Sequence, residues 1–177
     1  MKKFSKISVC IALFNLSYLL NAQIAIDKTS LTNSSVLLEF GSANKGIILP
    51  AVPSITANNS GGTFVFNTTT KSVQVWEQRN NNGSGDWLNL TELNAGIPHT
   101  FTNAGSDNSS NAGVIIGSGT SSKSGTLVLE STSRALVLPI VQNPHLTMVG
   151  CVAGTIVYDS TSSTLAVYDG ANWNYWK

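Results

Sequence analysis

Short apolar runs separated by polar, glycine-rich stretches are the main pattern along this chain. The runs "FVFN" and "SVQVW" alternate or are β-branched and aromatic, and "NTTTK" between them has turn chemistry, which predicts a β-hairpin over Thr63 to Trp76. "TIVYDSTSSTLAVYDG" repeats the pattern from Thr155 to Gly170, and its Asp-Gly pair predicts a turn before a last strand in "NWNYW". "VLLEF" and "TLVLES" also predict strands, each with one glutamate facing water. The pattern predicts an all-β fold.

The same pattern occurs twice along the chain. "NSSVLLEFGSANKGIILP" (Asn33 to Pro50) aligns with "SGTLVLESTSRALVLP" (Ser124 to Pro139) across a two-residue gap. "GTFVFNTTTKSVQVWE" (Gly62 to Glu77) aligns with "GTIVYDSTSSTLAVYD" (Gly154 to Asp169) without a gap. Order, spacing and residue class all agree, so the chain carries an internal repeat.

Trp87 of "GDWLNL" corresponds to Trp173 of "ANWNYW" at the end of each repeat. We therefore predict two tandem related β-hairpin-rich units, at residues 24–90 and 113–176, with a linker at residues 91–112. A small β-sandwich or a meander-like sheet would accommodate them. Whether the units share one core stays open at this point.

A short motif, "KGIILP" in the first unit and "RALVLP" in the second, marks each repeat. Pro50 and Pro139 cannot donate a ladder hydrogen bond, so they are predicted structural landmarks at strand ends. The three aliphatic residues before each proline do not alternate with polar ones, which predicts burial on both faces. A short helical turn is expected in "NPHLTMVGCVAG" and in "SITANNSGG" after the prolines.

The first residues have the features of an export signal. Lys2, Lys3 and Lys6 precede an apolar stretch, and "NAQ" offers a cleavage site, which predicts a signal peptide over residues 1–22. A retained N-terminal anchor is the alternative. After cleavage we expect no transmembrane segment, and we expect the chain to be extracellular or associated with the outer surface.

Charge gives no electrostatic signature of a nucleic-acid or membrane partner. The full chain has ten basic and nine acidic residues, and loss of the signal lysines would leave seven against nine. A net charge of about −2 argues against nucleic acid as a partner, because no basic patch offsets the phosphates.

The two units resemble a repeat of secreted and surface proteins of the Bacteroidetes, of the type "KGFLLPRMT…GLLVYNTDT…YYDGTAW", found in tail-fibre-like proteins. The resemblance covers both units. The residues that carry it are Lys45, Gly46, Pro50, Gly62, Asn67 and Trp87, with Arg134, Pro139, Gly154, Asp159, Asp169, Gly170 and Trp173.

The resemblance implies secretion and a structural or adhesive setting, and it implies no activity. The arginine that usually follows the proline is replaced by Ala51 and Ile140, so no role of that arginine is carried over. "DST", Asp159 to Thr161, resembles a Bacteroidetes O-glycosylation acceptor, but such three-residue matches arise often by chance and we favour a plain turn.

No catalytic constellation emerges from the sequence. His99 and His145 each lie beside a proline, and their spacing fits no zinc pattern. Cys151 has apolar neighbours, which indicates an inert thiol. Asn- and Asp-rich stretches offer the oxygen ligands that calcium prefers, but they lack the regular carboxylate spacing of a calcium loop. We expect no enzyme activity, no catalytic residue, no metal and no cofactor.

Aromatic residues are the candidate recognition surface. Trp76, Tyr175 and Trp176 are candidate glycan-binding residues, because aromatic rings can stack on sugar faces. Trp87 and Trp173, being equivalent, are predicted to fill the core of each unit.

We therefore expect a secreted or cell-surface, non-enzymatic structural or adhesive protein, acting as a fibre-like or spacer module of a Bacteroidetes-type bacterium. The alternative is a carbohydrate-binding protein that uses exposed tryptophans. Unpaired strand edges and the resemblance to fibre-like proteins predict self-association, with a homotrimer as one candidate state. A surface glycan or a protein is the other candidate partner.

Overall fold

A computed structural model describes residues 23–41, 43–53, 60–79, 84–99, 113–123 and 125–177. The predicted signal peptide lies outside them, and so do the first six residues of "SITANNSGG", in which a helical turn is expected. The described chain is almost entirely β, as predicted. The strands are β1 Ile24–Ile26, β2 Val36–Phe40, β3 Ile47–Ile48, β4 Ala51–Val52, β5 Phe64–Asn67, β6 Ser72–Gln78, β7 Gly85–Asn89, β8 Val114–Ile116, β9 Leu127–Leu129, β10 Ala135–Val137, β11 Ile140–Val141, β12 Thr155–Asp159, β13 Thr164–Tyr168 and β14 Trp173–Trp176. One short helix, α1, covers Pro144–Thr147 within the predicted segment "NPHLTMVGCVAG".

The two predicted hairpins form with the same register. β5 pairs with β6 so that Phe64 lies opposite Val75, and β12 pairs with β13 so that Ile156 lies opposite Val167. These are equivalent positions in the repeat alignment. A third antiparallel strand follows in each unit, β7 beside β6 and β14 beside β13. The repeat in the sequence is therefore a repeat in the structure.

Each proline is followed by a two-residue strand that joins its own hairpin. β4 pairs in parallel with β5, and the Phe66 N–H donates to the Pro50 carbonyl at 2.9 Å. β11 pairs in parallel with β12, and the Tyr158 N–H donates to the Pro139 carbonyl at 2.9 Å. Both prolines thus lie between two short strands and use only their carbonyl groups.

Before each proline, the chain crosses to the other unit. β3 pairs antiparallel with β12 of the second unit, with Ile47 opposite Ile156. β10 pairs in parallel with β2 of the first unit. A Cβ at Gly46 would lie 2.5 Å from the Thr155 side chain, so this crossing requires glycine. The motif therefore links the two units.

The predicted burial of the aliphatic triplets was wrong. Ile48 is 51% exposed and Leu136 is 39% exposed. Both strands are short and paired along one edge only in the described chain, so part of each triplet lies at the surface.

The inner faces of the two hairpins pack against each other in one hydrophobic core. Phe66, Val73 and Leu90 of the first unit are in contact with residues of the second unit in this cluster, and all three are buried. The second unit contributes Ala153, Ile156 and Val167. The units therefore share one core, in the manner of a small sandwich.

The strands that open each unit make a smaller core of their own. β1 pairs in parallel with β2, and β8 pairs in parallel with β9. Leu37 and Leu38 of β2 pack with Ile116 of β8. This cluster joins the units a second time.

Part of the predicted linker contacts both hairpins. The Gly96 N–H donates to the Lys71 carbonyl at 3.0 Å, and the Ile97 N–H donates to the Asp169 carbonyl at 2.9 Å.

In the described ranges, no helix is long and apolar enough to cross a membrane.

Candidate functional site

Trp176 lies in a row of apolar side chains that runs across four strands of the second unit. The register places Trp176 opposite Leu165, Leu165 opposite Tyr158, and Tyr158 opposite Ile140. Side chains in register share a face of the sheet. Trp176 is 40% exposed, and Tyr158 and Ile140 are also exposed. We call these four residues the rim row.

The equivalent row in the first unit is closed to solvent. Phe66, Val73 and Leu90 correspond to Tyr158, Leu165 and Trp176, and all three belong to the shared core. Three of the four rim-row side chains are exposed, and the fourth, Leu165, packs against the shared core. Of the two equivalent rows, only the one in the second unit is therefore open to a ligand.

Trp176 is held in place at one edge of its ring. Its indole N–H donates a hydrogen bond to the Leu90 carbonyl at the end of the first unit's last strand. This contact fixes the ring while leaving two fifths of the side chain exposed. An oriented, half-open indole can stack on an apolar ligand face without further ordering.

An open cleft of about 420 Å³ lies beside the rim row at Ile140. Its polar lining groups come from Asn44, Gln142, Thr147 and Ser160. Amides and hydroxyls of this kind can donate and accept hydrogen bonds to sugar hydroxyls. The rim row and the cleft together form the candidate site.

Tyr175 lies on the opposite face of β14, because successive residues of a strand alternate. Its hydroxyl is 2.9 Å from His145 Nδ1 of helix α1, and the two rings meet edge to face. Burial and the charge of Asp159 raise the pKa of Tyr175. The structure therefore does not bring Tyr175 and Trp176 together on one surface.

Trp76 lies on the first unit, on the face of β6 away from the core. It lies opposite Trp87 in register, with ring centroids 5.3 Å apart and planes at 65°. Its indole nitrogen is buried without a hydrogen-bond partner among the described residues. Trp76 thus lies on a different sheet from the second unit's rim row.

Trp173 repeats this arrangement in the second unit. It lies opposite Tyr168, with ring centroids 5.2 Å apart, and packs against the small buried cluster of Val141, Val157 and Ala166. Trp87 and Trp173 therefore lie on the outer faces of the two sheets, partly buried in paired aromatic contacts.

The sequence predicted that the glutamate of β2 faces water, and this prediction was wrong. Glu39 is 4% exposed and pairs with Lys28 at 2.7 Å. It also accepts hydrogen bonds from the Thr32 hydroxyl at 2.5 Å and the Thr32 N–H at 2.8 Å. These bonds to Lys28 and Thr32 lower the pKa of Glu39 to about 2. It is a structural anion.

Glu130, at the equivalent position, is held in a similar way by different residues. Its carboxylate accepts bonds from the Ser121 hydroxyl and from Lys123, whose ammonium lies 3.1 Å away. These bonds lower the pKa of Glu130.

Asp159 organises the turn between β12 and β13. Burial raises its pKa, but hydrogen bonds from the Ser162 hydroxyl and from the Thr161 and Asn143 N–H groups outweigh this and leave the pKa lowered. Asn67 makes the equivalent turn in the first unit by accepting from Thr69. The "DST" segment therefore forms a structural turn.

Cys151 is partly buried, and burial raises its pKa, so the thiol stays protonated at neutral pH. Over the residues that the structure describes, no three His, Cys, Asp or Glu side chains come together in a geometry for a metal ion.

Sequence reasoning singled out Trp176 but missed Tyr158, Leu165 and Ile140. The hairpin register was the signal that could have found them, because it places Tyr158 and Leu165 on one face.

No protein-family model, no curated protein and no solved structure matches the chain.

Proposed function

We propose that this chain is an exported, non-enzymatic structural or adhesive protein of a Bacteroidetes-type bacterium, displayed at the cell surface as a fibre-like or spacer module that self-associates. The observation that carries the proposal is the interlocking of two repeat units through β3, β10 and a shared core. Such interlocking suits a stiff module, because neither unit can move without breaking strand pairs of the other.

The ionisable groups support a structural assignment. Glu39 is neutralised by Lys28, and Asp159 binds the backbone of its own turn. His145 is engaged with Tyr175. The contacts of these groups stabilise strands and turns, as expected for the charged groups of a structural protein.

Labelling of intact cells tests this function. An antibody raised against the purified chain should label intact source cells as strongly as permeabilised ones. Labelling that requires permeabilisation would exclude a surface role.

A carbohydrate-binding role is the second candidate, and the rim row with its polar cleft favours it. Exposed aromatic side chains on the same sheet as a groove lined by hydroxyl and amide groups are suited to a sugar chain. This role assigns the ring of Trp176 to stacking and the cleft to hydrogen bonding.

Glycan-array screening followed by titration calorimetry separates the two candidates. If the rim row binds a glycan, Trp176→Ala abolishes the signal, while Tyr175→Ala leaves it unchanged because Tyr175 is equally exposed on the opposite face. Absence of any glycan response, or equal losses in both variants, would rule out the rim row as a sugar site.

A further inference from the structure

The second edge of β9 has no strand partner in the part of the chain that the structure describes. β9 pairs with β8 only, and the Glu130 N–H donates to the Ile116 carbonyl at 2.9 Å along that edge. Successive residues of a strand direct their backbone groups to opposite edges, so the groups of Leu127 and Leu129 face away from β8. Leu127 is 46% exposed.

β3 also has one open edge among the described strands. The Leu49 N–H donates to the Gly154 carbonyl at 3.0 Å, and Ile47 pairs with Ile156 on the same side. The backbone groups of Gly46 and Ile48 therefore point to the other edge. Ile48 is half exposed there.

The first unit shows what fills such an edge. β2 is the repeat equivalent of β9, and its second edge is occupied in parallel by β10, the equivalent of β3. The Ala135 N–H donates to the Ser35 carbonyl at 2.9 Å in this pair. Ala135 corresponds to Gly46, so β10 binds through the edge that β3 leaves open.

We propose that β3 of a second copy of this chain adds in parallel to the open edge of β9, as β10 adds to β2 within the chain. The register follows from the β10–β2 pair, in which Ala135 lies opposite Val36 and Val137 opposite Glu39. Transferred through the repeat alignment, it places Gly46 of one copy opposite Leu127 of the other, and Ile48 opposite Glu130. The contact is heterologous, because the two copies use different strands, and it continues the repeat from one chain to the next.

This inference deepens the proposed structural role by naming the partner and the surface. In every copy, β12 holds β3 along one edge, so a second copy offers β9 the other, open edge of its β3 strand. Pairing would cover the exposed side chains of Ile48 and Leu127. It would also give hydrogen-bond partners to the backbone groups at both open strand edges.

Two charged edge variants of the full chain test the contact by sedimentation velocity. Leu127→Lys blocks β9, and Ile48→Lys blocks β3. Each variant should be monomeric at concentrations where the unmodified chain associates. Mixing them should restore a 1:1 complex and nothing larger, because one variant supplies an intact β9 and the other an intact β3.

Val149→Lys is the matched control, because Val149 is 96% exposed and lies on neither strand. This variant should associate like the unmodified chain. Far-UV circular dichroism spectra and melting temperatures equal to those of the unmodified chain, measured at a concentration where all chains are monomeric, confirm that the fold of the three variants is intact.

Cross-linking tests the register independently. In a background that carries Cys10→Ser and Cys151→Ser, Ile48→Cys chains and Glu130→Cys chains should form a covalent dimer with a short bismaleimide only when mixed. A chain that stays monomeric at high concentration, an Ile48→Lys chain that still associates, or a mixture that fails to combine would overturn the proposal. Surface labelling and glycan titration do not depend on association, so the surface location and the glycan-binding role stand or fail separately from this contact.

Discussion

The indole N–H of Trp176 donates a hydrogen bond to the main-chain carbonyl of Leu90, its own equivalent in the first unit. The last strand of the chain is thereby tied to the last strand of the first unit across 86 residues. The two sequence repeats form one folded unit, joined by this contact, by the β3–β12 pair and by the shared core.

Trp176→Phe should lower the free energy of unfolding by about 1 kcal/mol, because it keeps an aromatic six-membered ring but removes the indole N–H and its hydrogen bond to a partly buried carbonyl. Urea unfolding measures the loss. Tyr175→Phe is the control, since it removes a hydroxyl contact with exposed His145 and should change stability by less. Equal effects would contradict an anchoring role for the Trp176 nitrogen.

Stability should depend on pH through Glu39. Its pKa is about 2 in the folded chain against an ordinary value of 4.5, so its contribution is fully present above pH 4.5 and is lost as the pH falls toward 2. Glu39→Gln should flatten the stability profile in that window. Denaturant unfolding between pH 6 and about pH 2 measures the slope.

Glu92→Gln provides the control for this experiment, because Glu92 is exposed. It should leave the slope between pH 4.5 and 2 nearly unchanged. A slope that responds equally to both substitutions would show that the Lys28–Glu39 pair is not what sets it.

Asp159→Ala should cost more than Asp159→Asn. Alanine leaves the partly buried Asn143 and Thr161 N–H groups without their side-chain acceptor, a loss of about 1 kcal/mol for each hydrogen bond. Asparagine keeps an acceptor oxygen, as Asn67 does in the first unit. Thermal unfolding compares the two, and equal costs would mean that the charge, not the turn geometry, matters at this position.

Gly62 and Gly154 form a matched pair at equivalent positions, with φ of 82° and 87°. Gly62→Ala should cost about 1–2 kcal/mol from backbone strain alone, since nothing lies within 4 Å of the new methyl group. Gly154→Ala should cost more, because its Cβ would meet Phe66 and Leu49 at 3.3 and 3.4 Å. Chemical denaturation of both variants checks the order, and a larger loss at Gly62 would contradict it.

The hairpins could be predicted because their signals are local. Alternation sets the faces of β5, β6, β12 and β13, and Asn67 and Asp159 open each turn with side-chain acceptors for the next N–H groups. The repeat alignment also gave the correspondence of the two registers. These features need no knowledge of distant contacts.

The crossing of the motif between units could not be predicted, because strand pairing over such distances leaves no local pattern. "KGIILP" carries an aliphatic triplet that resembles a buried strand, yet β3 is paired along one edge only in the described chain and Ile48 remains exposed. Glu39 is buried because Lys28 and Thr32, outside its strand, neutralise and bind it. Predicting the rim row would likewise have required the register of four strands.

The shared core is tested most directly by hydrogen exchange of the full chain, measured by mass spectrometry on peptides covering β5–β6 and β12–β13. Both hairpins should open with the same free energy, because their inner faces form one core. Phe66→Ala, which removes a fully buried ring of the first unit, should lower both values by the same amount, about 3–5 kcal/mol. If β12–β13 keeps its protection while β5–β6 loses it, the two units do not share a core.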